Sequence, residues 1–362
     1  MSAERSVAFA PGRVNLIGEH TDYNQGLALP FAIAEGVTVR AVAESRHAAG
    51  KERISAYARD LDERDEFALA EPLPASGWRA FVRGSVAELA RAGFPLVGAR
   101  LEIGGELPAG AGLSSSAALE VALCLALIEL GSRAAPAAAK MVQRTELAEL
   151  CARVENDWVG AHTGLLDQLA SLYGEPDAAL CIDFRTLEVE PVPLRLDGWR
   201  LVVLDSGERH LHASSGYNER RAECARACQL LAVASLREAE GAAVEALPEP
   251  LRRRVGHVLG ENERVREAVR ALRTNDLPSV GRLLNAAHES LRDRYEVSTP
   301  AVEAAVERLL GAGASGARLV GGGFGGSVLG LFAPDVQPPA QAREVRPGAG
   351  AHLLEETARW HE

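Results

Sequence analysis

The chain has 362 residues and a mass of 38.4 kDa, with 47% hydrophobic and 25% charged residues. Such a composition buries enough apolar surface to offset chain entropy, which excludes disorder and suits two packed domains. Fifty acidic against thirty-nine basic residues give a net charge of −11, so no global field favours nucleic acid or an anionic membrane, and neither is expected as a partner. Cys124, Cys151, Cys181, Cys224 and Cys228 form no CxxC pair and read as reduced thiols. The N-terminus lacks a basic segment followed by an apolar run. The most apolar stretch, Ala117 to Leu130, carries Glu120 and Glu129 and reads as too short to span a bilayer, so a cytoplasmic protein is expected.

In chain order, Val14 to Ile17 and Leu27 to Ile33 read as strands around the turn-forming Asn24-Gln25-Gly26, and Val37 to Val42 reads as another. Helical spacing follows in Trp78 to Leu89, Ala117 to Leu130 and Leu147 to Val154, with strand-like Arg100 to Ile103 between the first two. Beyond Asp183 come a strand at Arg200 to Leu204, a long charged helical region from Asn218 to Arg273, and helices near Val280 to Leu291 and Ala301 to Leu310. Two last strands, Arg318 to Val320 and Ser327 to Phe332, bracket a glycine cluster. The pattern predicts an α+β fold in two domains, residues 1–183 and 184–362.

Three stretches carry chemistry. In PGRVNLIGEHTDY, residues 11–23, a strand-like core runs into Glu19, His20, Asp22 and Tyr23. Acceptors this dense suit a polyhydroxylated ligand, although a solvated hairpin end has the same composition. In LPAGAGLSSSAA, residues 107–118, glycines and three serines open an apolar helix. Inward-turned amides and the helix dipole make an anion cradle, with an N-cap serine as the plainer reading. No Lys-Ser or Lys-Thr pair follows the glycines, so another cation must serve the phosphates. In LVGGGFGGSVLGL, Gly321, Gly323 and Gly326 satisfy GxGxxG. A strand-like run follows instead of a helix, which excludes a dinucleotide fingerprint and favours a glycine hairpin.

In this order the three segments resemble the GHMP family of small-molecule kinases, and PGRVNLIGEHTDYNQG resembles that family's galactokinase signature. HTGLLDQLAS at 162–171 and HASSGYNERRAEC at 212–224 are similar to further galactokinase segments. The resemblance implies a two-domain fold with the active site in the interdomain cleft, and Mg²⁺-dependent transfer of a phosphoryl group from ATP to the anomeric hydroxyl of galactose. A related sugar (N-acetylgalactosamine, galacturonate or arabinose) and a catalytically silent galactose sensor are the alternatives. A monomer or weak dimer is expected.

Residue roles follow from the same resemblance. Asp167 is the catalytic carboxylate and Arg13 the charge-stabilising arginine beside it. Glu19, His20, Asp22, Gly164, Asp167 and Tyr217 contact the sugar. Gly110, Ala111, Gly112, Leu113, Ser114, Ser115 and Ser116 hold the nucleotide phosphates, and Trp78 lies near the adenine. Ser116 and Glu155 are the Mg²⁺ ligands. Glu155 ends an amphipathic helix and can project into the cleft, though by composition alone it reads as an exposed helix-end glutamate.

Overall fold

The computed structural model describes residues 4–44, 52–107, 112–161, 163–208 and 213–355. The first part of the chain forms strands β1 (Arg5–Asn15), β2 (Leu27–Ala28), β3 (Pro30–Ala43), β4 (Arg53–Ala58) and β5 (Glu63–Ala68), helix α1 (Trp78–Arg91), strand β6 (Ala99–Gly105) and helices α2 (Ser115–Ala134), α3 (Arg144–Arg153) and α4 (Leu166–Tyr173). Next come strands β7 (Ala178–Asp183), β8 (Glu188–Pro193) and β9 (Arg200–Asp205). They precede helices α5 (Ala213–Leu231), α6 (Ala242–Glu245), α7 (Leu251–Arg273), α8 (Leu277–Ser290) and α9 (Pro300–Gly311). Strands β10 (Gly316–Leu319), β11 (Ser327–Phe332), β12 (Arg343–Val345) and β13 (His352–Leu353) complete the fold.

Small apolar and β-branched residues fill β1 and β3, both largely buried, which pair antiparallel from Arg5 with Val42 to Asn15 with Pro30. The register shifts between Pro11 and Arg13. Proline has no N–H for the ladder, and a shift of this kind turns the following side chain to a new direction; that side chain is Arg13. The six-stranded sheet runs β13-β1-β3-β6-β4-β5, with only β4 and β6 parallel. Helices α2 and α4 pack on β1 and β3, and α1 and α3 pack on α2.

A second sheet, β10-β11-β9-β12, is backed by α8 and α9, and a three-stranded sheet, β2-β7-β8, lies against α7. The architecture is α+β with mixed sheets, as expected. One apolar cluster joins Leu16, Phe31 and Leu113 to Leu201, Leu284 and Val345, so the core is continuous from the first part of the chain to the last. The division after Asp183 falls in the turn between β7 and β8, and β13 returns to pair with β1. We propose it as a division of the sequence; the pairings cross it in space.

Three expectations change. The strands expected at Leu27–Ile33 and Val37–Val42 reorganise as short β2 and a single β3 that passes through Gly36. The helical region from Asn218 to Arg273 is interrupted between Leu231 and Leu251, where Pro248 and Pro250 precede α7 and withhold the amides a continuous helix needs. Helix α2 extends beyond the apolar stretch to 20 residues and is, by length and composition, long enough to cross a membrane, yet 67% of its most apolar window is buried inside the fold. All five cysteines are free.

Candidate active site

The turned side chain of Arg13 meets Asp167 at the start of α4, with Nε donating to Oδ1 at 2.7 Å and Nη2 to Oδ2 at 2.8 Å. Its Nη1 donates to the carbonyl of Gly112 at 2.7 Å. Burial alone would lower the arginine's pKa, but the charges of Asp167, Glu19 and Glu155 outweigh it and raise it. Three of its five N–H groups are thus occupied, and two are left for an anion. Asp167 also accepts from the Ser114 hydroxyl. Its two oxygens therefore carry three bonds, and one acceptor direction is left for an incoming hydroxyl.

Ser114 precedes α2 in a left-handed conformation (φ 58°, ψ 46°) and Gly112 has φ 71°. The Ser114 side chain does not cap the helix; it bonds Asp167 instead. The first-turn amides of α2 lack partners within the helix, so this helix mouth attracts anions. Ser115 and Ser116 line the same cleft. Glu155 follows α3 where the helix widens into a π-type turn, Val154–Val159, and it is only 6% exposed. This settles its direction: it points inward. Oε1 accepts from Ser116 Oγ at 3.0 Å, while Oε2 accepts from Thr163 Oγ1 at 2.6 Å and Gln168 Nε2 at 3.0 Å. Burial raises the Glu155 pKa, with Asp167 adding to it and these hydrogen bonds opposing it. Gln168 Nε2 also lies 3.3 Å from Glu120 Oε2, and burial pushes Glu120 well above the ordinary carboxylate range.

At the other end of the cleft, Glu19 Oε1 pairs with Arg318 Nη2 at 2.7 Å and accepts from the Gly321 amide at 2.8 Å. Arg318, on β10 and fully buried, also donates to the carbonyls of Asn15 and Leu16. His20 has φ 62°, and its Nδ1 lies 2.8 Å from the Tyr23 hydroxyl. The rings of His20 and Tyr217 are 5.3 Å apart. Asp22 is raised to about 6 by burial, reinforced by the charges of Asp167 and Glu19 and opposed by the Tyr23 backbone and Arg221. A side chain at Gly164 would displace Asp22, because a Cβ there would stand 2.0 Å from Asp22 Oδ2. On the glycine hairpin, Gly323 (φ 77°) is equally restricted, since a Cβ would meet the Val297 side chain at 2.5 Å.

One cleft of about 360 Å³ gathers Arg13, Glu19, His20, Asp22, Gly112, Leu113, Ser114 to Ser116, Glu155, Gly164, Asp167 and Tyr217. Gly110 and Ala111 lie outside the described residues. Trp78 is not brought to the cleft. Its indole N–H donates to Glu63 at 2.7 Å and the Arg79 guanidinium lies over its ring. These contacts lie at the outer edge of the first sheet, and the adenine role expected for Trp78 stays a proposal. Sequence reasoning missed Arg318, Thr163 and Gln168. Arg318 had a signal, a charge inside an otherwise apolar strand; Thr163 and Gln168 acquire meaning only when the loop before α4 is folded against Glu155.

Comparison with known proteins identifies the family. The galactokinase galactose-binding signature matches residues 1–42, the GHMP kinases N terminal domain residues 80–175 and the GHMP kinases C terminal domain residues 268–351. Galactokinase of Mycobacterium tuberculosis is 44% identical over 345 residues, 93% of this chain and 90% of that one. Galactokinase of Thermotoga petrophila is 41% identical over 321 residues, 88% and 87% of the two chains. Among solved structures, Lactococcus lactis galactokinase complexed with galactose superposes with a TM-score of 0.87 at 33% identity, covering 97% of this chain and 95% of that one. Mevalonate kinase of Methanococcus jannaschii, at 18% identity and a TM-score of 0.65 over 96% and 99% of the chains, shares the fold. Identity sustained across nearly the whole chain, with the galactose-binding signature at its start, places this chain in the galactokinase family of the GHMP kinases.

Proposed function

We propose that the chain transfers the terminal phosphoryl group of ATP to the anomeric hydroxyl of galactose, giving galactose 1-phosphate and ADP. The observation that carries this reading is the Arg13–Asp167 pair between two unlike ends of one cleft. An anion-attracting helix mouth stands on one side, and the Glu19, His20, Asp22 and Tyr217 set on the other. Phosphoryl transfer passes through a loose transition state with charge spread over oxygens, so catalysis consists mainly of positioning and electrostatic stabilisation.

Each residue then has a task. The amides and hydroxyls at the start of α2 hold the phosphates. Glu19 and Asp22 accept hydroxyl protons of the sugar and orient its C1 oxygen toward Asp167. The remaining acceptor direction of Asp167 receives the C1 hydroxyl hydrogen as that oxygen bonds phosphorus and the bond to the ADP oxygen breaks. The two remaining Arg13 N–H groups face the charge on the transferring group. Mg²⁺ fits the Ser116 and Glu155 oxygens. They are hard donors 3.0 Å apart, and burial disfavours the charge of Glu155, which a bound cation would offset. Mg²⁺ takes one or two carboxylates and completes its shell with phosphates and water, so the Ser116–Glu155 pair is enough protein for it. When bound, the ion neutralises phosphate charge.

An ADP-release assay across a sugar panel, with the product's phosphate position read by ³¹P NMR, tests the proposal. Galactose should give the highest kcat/KM and a C1 phosphate. A better substrate among N-acetylgalactosamine, galacturonate or arabinose would overturn the choice of sugar, and binding without product would overturn the activity.

A further inference from the structure

His20 is 4% exposed and lines the cleft, and its Nε2 has no hydrogen-bond partner of good geometry among the described residues, the Gly322 backbone being its polar neighbour. Its other nitrogen begins a buried chain. Nδ1 lies 2.8 Å from the Tyr23 hydroxyl, which lies 2.9 Å from that of Tyr295. The Tyr295 oxygen is 3.1 Å from Cys224 Sγ, and Asn24 Nδ2 donates to that sulfur at 3.7 Å.

The direction of this chain is set at its far end. The same Asn24 nitrogen is 2.8 Å from the His20 carbonyl oxygen. A backbone carbonyl only accepts, so this atom is the amide nitrogen whichever way the amide is drawn. Its second N–H then points at Sγ, and the thiol proton is left to donate to Tyr295. Tyr295 in turn donates to Tyr23, and Tyr23 to Nδ1. A nitrogen that accepts carries no proton, so the neutral ring holds its proton on Nε2. Among the described residues the opposite polarity leaves the thiol proton no acceptor of hydrogen-bond geometry. Burial keeps every member neutral, lowering His20 well below its ordinary value, raising Tyr23 and Tyr295 well above theirs, and lifting Cys224 to about 11. His257, whose ring is 4.3 Å from that of Tyr295, follows the same logic: its Nε2 meets the Glu19 carbonyl at 3.1 Å, so Nδ1 accepts from Ser290.

We infer that Asn24, Cys224, Tyr295 and Tyr23 form one oriented hydrogen-bond chain that holds His20 as the Nε2–H tautomer, giving the cleft a neutral donor for a sugar oxygen. The inference rests on the proposed galactose reading. Glu19, Asp22 and Asp167 can only accept when ionised. A hydroxyl that donates to one of them and accepts from Nε2–H is held in both directions, and an analogue without that oxygen leaves two buried groups unpaired. Tyr23, Tyr295 and Cys224 act through His20 as positioning residues.

The test uses the full chain with ¹⁵N-labelled histidine. Two-bond ¹H–¹⁵N correlation should report an Nε2–H ring for His20 that does not titrate near neutral pH and shifts on adding galactose. Tyr23→Phe should populate the other tautomer and raise the galactose KM roughly three- to tenfold, the scale of one neutral hydrogen bond, with kcat little changed. Cys224→Ala leaves the Tyr295 proton with Tyr23 as its acceptor and should keep the Nε2–H tautomer; the tautomer read in the unaltered protein keeps the test decisive if Tyr23→Phe fails to fold. In calorimetric titrations with monodeoxy and monofluoro galactoses, one ring position should tolerate fluorine, an acceptor only, better than hydrogen, and Tyr23→Phe should close that gap. An Nδ1–H ring in the unaltered protein overturns the inference. So does a His20 signal unmoved by galactose, with the donor then engaged by the Gly322 backbone, the one neighbour favouring a proton on this ring. Failure to bind or phosphorylate galactose at all would instead overturn the kinase reading beneath it.

Discussion

The two ends of the cleft solve opposite problems. At the helix mouth, Arg13, Asp167, Glu155 and the serines are held by charged hydrogen bonds in a partly open site, where Asp167 keeps 24% of its side chain exposed. At the sugar end, His20 and Tyr295 sit in a buried aromatic cluster, their rings 4.6 Å apart, and burial keeps them neutral. A phosphoryl group presents charge, which answers to countercharge and tolerates some breadth of direction. A sugar presents hydroxyls, which differ only in where they point, and neutral groups locked in place read direction best. The difference teaches that rate and selectivity are carried by separable parts of one cavity, meeting at Asp167.

Substitutions at the charged end should therefore strike kcat first. Asp167→Asn removes the proton acceptor and should lower kcat on the order of a thousandfold with little change in galactose affinity, measured by ADP release and by calorimetry. Unchanged turnover would break the division at its centre. Arg13→Ala should lower kcat by on the order of a hundredfold or more, the scale for losing a charge stabiliser. A pure KM effect would move Arg13 to the sugar side. Glu155→Gln should weaken Mg²⁺-dependent binding of an ATP analogue by at least about tenfold and leave galactose binding intact.

At the sugar end, Gly164→Ala should push Asp22 aside and raise the galactose KM by on the order of tenfold, with kcat less affected. The smallest expected effect is on pH. Asp22, raised to about 6 by burial, loses its charge as pH falls through that value, so galactose binding should be full above about 7 and weaken several-fold by about 5. Asp22→Asn should abolish this dependence. For folding the sign is reversed. A buried acid with a raised pKa binds its proton more tightly when folded, so its contribution to stability grows as pH falls from about 6 towards the ordinary carboxylate value. His257, lowered to about 4 by burial, acts oppositely over that window. The difference between unaltered protein and Asp22→Asn in denaturant unfolding therefore isolates the Asp22 part.

Much of this was legible beforehand because it is local. Strand and helix periods follow from side chains alternating every two or every 3.6 residues, and the serine run at the start of α2 declares a helix mouth whatever it packs against. The GEHTDY and GLLDQ segments name their residues in order. What stayed hidden lies between distant segments: Arg13 and Asp167 are 154 positions apart, Glu19 and Arg318 nearly 300. The inward turn of Glu155, its bonds to Thr163 and Gln168, and the path from His20 to Cys224 likewise have no local signature.

The amino-acid order alone determined many of the helices and strands, the family they resemble and which side chains carry reactive chemistry, since those properties depend on composition and near-neighbour spacing. Only the folded chain decided which donor faces which acceptor, because a hydrogen bond and the neutrality of a buried ring depend on distances of about 3 Å and on exclusion of water. Both are set when β1, α2, α4 and β10 close around one cleft.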